Sequence, residues 1–271
     1  MSHATPRRAQ GTPQSRAGRH AFLRDLATAG AGLAAVMGLS SLGLPDVPGA
    51  AAAGLTAGDR AMLDAAQLAE ALAVTTYAHI ITHAPLFGRL FPQDQTYLRA
   101  AHQQEMAHYA LLHSLTGALP PATTFFYPRG MFTTAQTTLN TLLTLEETFI
   151  AAYLVGVRTL STPDLREAAA RIMGVESDHR TMARVLAPGI DPADGGPLRS
   201  LTGVMRVAEP VDPANNNAFE RTVRWTTRDH VLAALRPFMD RTAAVRAGFD
   251  STRPYAFVPF VPTLSTSLGA Y

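Results

Sequence analysis

Apolar residues recur at helical spacing in four long segments, each with polar residues at its start and a break at its end. The first is expected to begin at an Asp59 cap and run to about Ala84, stopping before Pro85. The second is expected from an Asp94 cap to near Thr116, with Gly117 in the position that closes many helices. Thr133 or Thr134 opens a third, which reaches about Leu160. Thr162, Pro163 and Asp164 supply the fourth with a cap, a first-turn proline and an acid at its positive end, and it continues to about Ala187.

The connections set the topology. First to second and third to fourth are joined by short loops, whereas second to third needs roughly 17 residues, Ala118 to Thr134. A helix of about 24 residues is roughly 36 Å long, and that loop can reach about 56 Å. It is long enough to cross a whole bundle. The expected fold is all-α: two antiparallel hairpins joined by one long crossover, over residues 53–187.

Residues 188–271 are rich in Pro, Gly, Asn and Thr and are expected to form an irregular extension on the bundle, with one short helix from about Thr227 to Leu235, ended before Pro237. Its last stretch, Pro254 to Tyr271, carries Tyr255, Phe257, Phe260 and Tyr271 and offers a surface for a cell-envelope partner, with packing onto the bundle as the plainer use. Residues 1–52 read as an export signal, with an arginine-bearing start, an Ala, Gly and Leu-rich stretch from Leu26 to Leu44, and small residues from Ala50 to Ala53. Arg19-His20-Ala21-Phe22-Leu23 is similar to a twin-arginine signal, with His20 in place of the second arginine. The expected location is exported, in the periplasm or cell envelope.

Polar residues interrupt the apolar faces at places that matter chemically. Glu105 and His108 on the second segment, and Glu176 and His179 on the fourth, each stand three apart and so share a helix face. Glu70 and Glu146 lie on the first and third, each followed seven residues later by a tyrosine, Tyr77 and Tyr153. Leu63, Ala66, Ala73 and Val74 surround Glu70 at helical spacing; Leu139, Leu142, Leu143, Phe149 and Ile150 surround Glu146. Leu98, Ala101, Tyr109 and Leu112 flank Glu105, and Ala169, Ile172, Met173 and Ala183 flank Glu176.

An ionised carboxylate on a core face costs several kcal/mol unless it is paired or coordinates a metal. Depth agrees with a shared site: Glu70 is 11 residues past Asp59, Glu105 11 past Asp94, Glu146 12 past Thr134 and Glu176 14 past Thr162. At 1.5 Å per residue the spread is about 5 Å, within reach of two metal ions. Glu70, Glu105, His108, Glu146, Glu176 and His179 are the expected metal ligands and catalytic residues, with Glu147 as runner-up to Glu146. Tyr77, Tyr153 and His102 are candidates to hold a ligand by a hydrogen bond. His79 and His83 are spaced as a metal pair but lie on the far side of their helix from Glu70, which favours solvent or loop contacts. Arg180 must turn outward or pair with a carboxylate.

Composition narrows the chemistry. The 271 residues contain no cysteine, so thiolate sites and iron–sulfur clusters are excluded and any metal is held by nitrogen and oxygen. With 47% hydrophobic residues a large core is available. Residues 1–52 hold five of the 23 basic residues and two of the 21 acids, leaving a remainder with a net charge of −1. That gives no reason to expect nucleic acid as a partner.

The motif pattern resembles that of bacterioferritins and rubrerythrins, in the ferritin-like superfamily, and with the leader is similar to exported ferritin-like and desiccation-related proteins. The resemblance covers about residues 59–187. It implies terminal ligands at Glu70 and Glu146, bridging ligands at Glu105 and Glu176, and one metal for each of His108 and His179. Met106 stands where bacterioferritins place a haem-ligating methionine, but one methionine on a helix is read as packing and haem is not expected. The implied function is a di-iron oxidase or ferroxidase using O2 or H2O2, in oxidative or desiccation stress. The alternatives are two manganese ions with catalase-like H2O2 dismutation, or a metal-independent structural or stress-protection role in the envelope.

Overall fold

The computed structural model describes residues 54–186 and 225–258. The expected leader, residues 1–52, lies outside the described residues, as do 187–224 and 259–271. Four long helices form the bundle: α1 (Ala57–His83), α3 (Pro92–Thr116), α4 (Ala135–Thr159) and α5 (Pro163–Leu186). A one-turn helix, α2 (Pro85–Arg89), sits in the first short connection. The closest packing is within two hairpins, α1 with α3 and α4 with α5, and α1 also packs on α4. This is the expected bundle of two antiparallel hairpins with a single long crossover, Gly117 to Thr134. Among the described residues no helix is long and apolar enough to cross a membrane.

Two helix starts differ from the sequence reading. The cap of α1 is Thr56, not Asp59: the Thr56 hydroxyl accepts from the Asp59 N–H at 3.0 Å, while the Asp59 carboxylate accepts from the Thr56 N–H. A capping box uses both residues, and the acid three positions inside is the more visible of the two. Asp59 also accepts from the Ser161 N–H at 2.8 Å and the Ser161 hydroxyl at 2.5 Å, tying the α4–α5 turn to the start of α1. Likewise α3 starts after Phe91 rather than Asp94, because Pro92 is already set for the first helical position. Thr134 caps α4, and Gly117 ends α3 at φ 64°, a left-handed conformation glycine adopts without strain.

The crossover is not plain loop. It contains β1 (Thr124–Pro128), whose Phe125, Phe126 and Tyr127 are buried, and the Tyr127 hydroxyl lies 3.0 Å from that of Thr76 on α1. The described part of the extension supplies α6 (Arg228–Met239), α7 (Arg241–Arg246) and β2 (Phe249–Ala256). β2 pairs antiparallel with β1, Phe125 opposite Tyr255 and Tyr127 opposite Asp250. The pairing is interrupted where Asp250 accepts from the N–H and hydroxyl of Thr252 and where Pro254 has no N–H to give. The extension thus holds more regular structure than the single short helix expected of it.

Helix α6 places Val231, Leu235 and Phe238 inward against α1 and α4. It continues through Pro237 to Met239 instead of ending at Leu235. A proline in the last turn removes one N–H, and burial of Phe238 keeps that turn in helical register.

Asp59→Ala is expected to lower stability by about 1–2 kcal/mol through loss of its half of the capping box and of the Ser161 tie, read as a lower urea midpoint with unchanged slope. Hydrogen bonds from Ser161 and Thr56 outweigh burial and hold the Asp59 carboxyl below its ordinary range. Its contribution is therefore present above the ordinary aspartate pKa of about 3.9 and lost as pH falls through the lower folded value. The variant and the parent protein should converge in stability in that acid range.

Candidate metal centre

The cap positions locate the site. Counted from Thr56, Phe91 and Thr162, the residues Glu70, Glu105 and Glu176 each lie 14 positions in, and Glu146 lies 12 from Thr134. The corrected starts bring the four carboxylates closer to one level than the sequence reading did. Glu105, Glu146, Glu176 and His179 are fully buried, Glu70 is 2% exposed and His108 is 9% exposed. The apolar residues flanking them are buried as expected, except that Leu143 and Met173 are half-exposed.

Two groups of ligand atoms result. Glu70, Glu105, His108 and Glu176 form one, and Glu105, Glu146, Glu176 and His179 the other, with all ligand atoms of a group within 4.8 Å of one another. Ligands on opposite sides of an ion about 2.1–2.4 Å away are about 4.2–4.8 Å apart, so each group is sized for one ion. Glu105 and Glu176 are shared by both groups.

His108 Nδ1 lies 3.1 Å from Glu176 Oε1, 3.3 Å from Glu105 Oε2 and 3.5 Å from Glu70 Oε2. His179 Nδ1 lies 2.8 Å from Glu105 Oε1, 3.3 Å from Glu176 Oε2 and 4.0 Å from Glu146 Oε2, yet has hydrogen-bond geometry to none of them. Buried oxygens of Glu70, Glu105, Glu146 and both of Glu176 also lack hydrogen-bond partners. Buried polar atoms are normally satisfied. Six that cluster without bonding one another are arranged as ligands are around a cation.

The remaining atoms of these residues are held. The Tyr77 hydroxyl donates to Glu146 Oε1 at 2.6 Å, and the Tyr153 hydroxyl donates to Glu70 Oε1. Each tyrosine serves the glutamate of the other hairpin, not the one seven residues before it in the chain. Burial, with the facing glutamates, raises both tyrosine pKa values well above the usual range, so both stay protonated donors. His179 Nε2 lies 2.8 Å from Gln104 Oε1, which fixes the ring with Nε2–H donating and Nδ1 free for a ligand role.

Burial sets the protonation of the cluster. It raises Glu70, reinforced by Glu105 and Glu176, and raises Glu146 against the pull of His179. For Glu105 burial is outweighed by His179 and His108, which draw it below the carboxylate range. Burial disfavours charge on His108 and His179, but the carboxylates outweigh it and raise both.

Other expected residues lie elsewhere. Glu147 is exposed, so Glu146 is the acid that reaches the cluster. His102 is fully buried, neither ring nitrogen has a hydrogen-bond partner, and burial holds its pKa at about 4 against the attraction of Glu105. It is near the site but holds no ligand by a hydrogen bond. His79 and His83 contact each other, with His79 against Phe132 and Tyr255, at the far end of α1. Arg180 does not turn outward: it is buried and engaged by a partner. Met106 is buried in the core. Gln104 was not foreseen, and only its place beside Glu105 hinted at it.

Four helices present carboxylates and imidazoles at one level. Residues 58–188 match the family model described as a ferritin-like domain, which covers the four bundle helices. No match was found among curated proteins or solved structures. The donor set fits a pair of divalent ions, since two neutral imidazoles and four carboxylates together balance two such charges.

Gln104→Ala is expected to weaken metal binding by about 10–100-fold, as loss of a partner behind a ligating imidazole does, while helix content by circular dichroism is unchanged. Competition against a chelator of known affinity measures it.

Proposed function

We propose that the domain binds two iron ions and acts as an O2- or H2O2-dependent oxidase or ferroxidase, in an exported protein of oxidative or desiccation stress. The observation that supports it most directly is the set of buried carboxylate oxygens and the His179 nitrogen that converge without bonding one another. Glu70 and His108 would hold one ion, Glu146 and His179 the other, and Glu105 and Glu176 both. Oxygen and imidazole donors suit iron or manganese better than copper.

Bound there, two Fe(II) ions would supply one electron each, enough with two protons to take O2 to H2O2, or H2O2 to two waters. The protein's part is to hold its ligands in place and keep the site dry. Tyr77 and Tyr153 fix the outer carboxylates, Gln104 fixes His179, and the surrounding Leu and Ala side chains exclude water. The export reading rests on residues 1–52 and on the resemblance to exported relatives, and a cell-envelope partner for the extension belongs to the same proposal.

Elemental mass spectrometry on protein from its own host should give about two metal ions per chain, and Glu105→Ala with His179→Ala should abolish binding. Iron leads to oxidase and ferroxidase assays, and manganese to the catalase-like alternative. A metal-free protein that takes up nothing on reconstitution would leave the structural or stress-protection role. Loading with ferrous ion at 100 times Kd should also raise unfolding stability by about 2.7 kcal/mol for each site filled, and an unchanged melting temperature would count against binding to the folded state.

A further inference from the structure

The last two turns of α1 bring a second set of nitrogen donors together, apart from the carboxylate centre. His79 and His83 stand four apart and so share one face of the helix, and their Nδ1 atoms lie 3.2 Å from each other. Glu70, the centre's ligand on α1, is nine residues before His79, roughly 13 Å along the helix axis.

Their neighbours place both rings. His79 is half-buried, T-shaped against Tyr255 with 4.6 Å between ring centroids and 5.4 Å from Phe132, so β2 and the crossover hold it. The Thr82 hydroxyl donates to Ala78 O at 2.7 Å, so toward His83 Nδ1, 2.6 Å away, it accepts. His83 Nδ1 therefore carries the hydrogen, and the lone pair of His79 Nδ1 faces it across the 3.2 Å gap. One proton holds two nitrogens at a spacing that a metal ion can take over.

That spacing selects the ion. Two nitrogens 3.2 Å apart, each about 2.0–2.1 Å from one ion, subtend about 99–106° at it, close to a tetrahedral angle and wider than the right angle of a square plane. Imidazoles without a carboxylate suit zinc, copper or nickel, and of these zinc has the tetrahedral habit. Burial, with His83 and Arg253, lowers the His79 pKa to about 4, so at neutral pH this ring meets an ion without first giving up a proton. His83 frees its Nδ1 by carrying the hydrogen on Nε2, at the cost of its bond to Thr82. Arg253, whose guanidinium lies 5.5 Å over the Tyr255 ring, sets a positive charge near His79 and works against the ion.

We propose that His79 and His83 form a second metal site, taking one zinc ion through their two Nδ1 atoms with water in the remaining positions. The site does not depend on the oxidase reading. An ion there clamps the last two turns of α1 where Phe132 of the crossover and Tyr255 of β2 meet it.

Zinc can also enter the carboxylate centre, so the test reads a difference. Full-length protein dialysed against excess zinc should hold one ion fewer per chain as His83→Ala, and as His79→Ala, than as the parent. His230→Ala, which removes a histidine exposed on α6, should keep the parental number. His83 is exposed, so its loss leaves helix content by circular dichroism unchanged. In zinc-soaked crystals of the parent, an anomalous difference peak at the zinc edge should lie within bonding distance of both Nδ1 atoms. Arg253→Ser should tighten the site about two- to fivefold by removing an exposed repulsion. Equal zinc content in the parent and His83→Ala, or anomalous density confined to the carboxylate centre, overturns the proposal.

Discussion

Four carboxylates and two imidazoles in a water-free interior are the constraint around which the bundle is organised. Each ionised group left unpaired there costs several kcal/mol, and a whole domain is stable by only about 5–15 kcal/mol. The cluster therefore survives folding only with its charge closed. Without metal, burial pushes Glu70 and Glu146 toward the protonated form, while the surrounding carboxylates push His108 and His179 toward the charged one. Divalent ions close the same charge by displacing protons, so metal uptake and proton release belong to one equilibrium.

Much of this was legible in the chain. Helical periodicity with Glu-x-x-His written twice, and a lone glutamate on each remaining segment, was enough to name all six residues the structure brings together. Choosing Glu146 over Glu147 came from the matching tyrosine spacing, and burial agrees. The partners of those tyrosines were not legible, because seven residues along one helix gives no information about which helix faces it. Gln104 was missed for a related reason: a glutamine beside a ligand looks like any solvated residue until the fold puts α5 opposite it.

The sheet shows the other limit. β1 and β2 are more than a hundred residues apart, and β2 contains Asp250, Ser251 and Pro254, residues that ordinarily mark a turn. What makes it a strand is its partner together with the aromatic packing of Tyr255 on Tyr127 and Phe132, a tertiary effect that local pattern does not encode. The cap of α1 failed more narrowly. Thr56 and Asp59 bond reciprocally, and sequence alone favours the acid over the hydroxyl.

The exchanged tyrosines have a consequence for assembly. Because Tyr77 of the first hairpin holds Glu146 of the second and Tyr153 of the second holds Glu70 of the first, the two bonds act as a vernier between the halves. Sliding one hairpin past the other by a single turn would break both at once and carry all the ligands out of level. Each hairpin carries three of the four ligands of one group, and docking in register supplies the fourth. The complete cluster is thus a report that the halves have docked in register, and a cation arriving earlier meets an incomplete set of ligands.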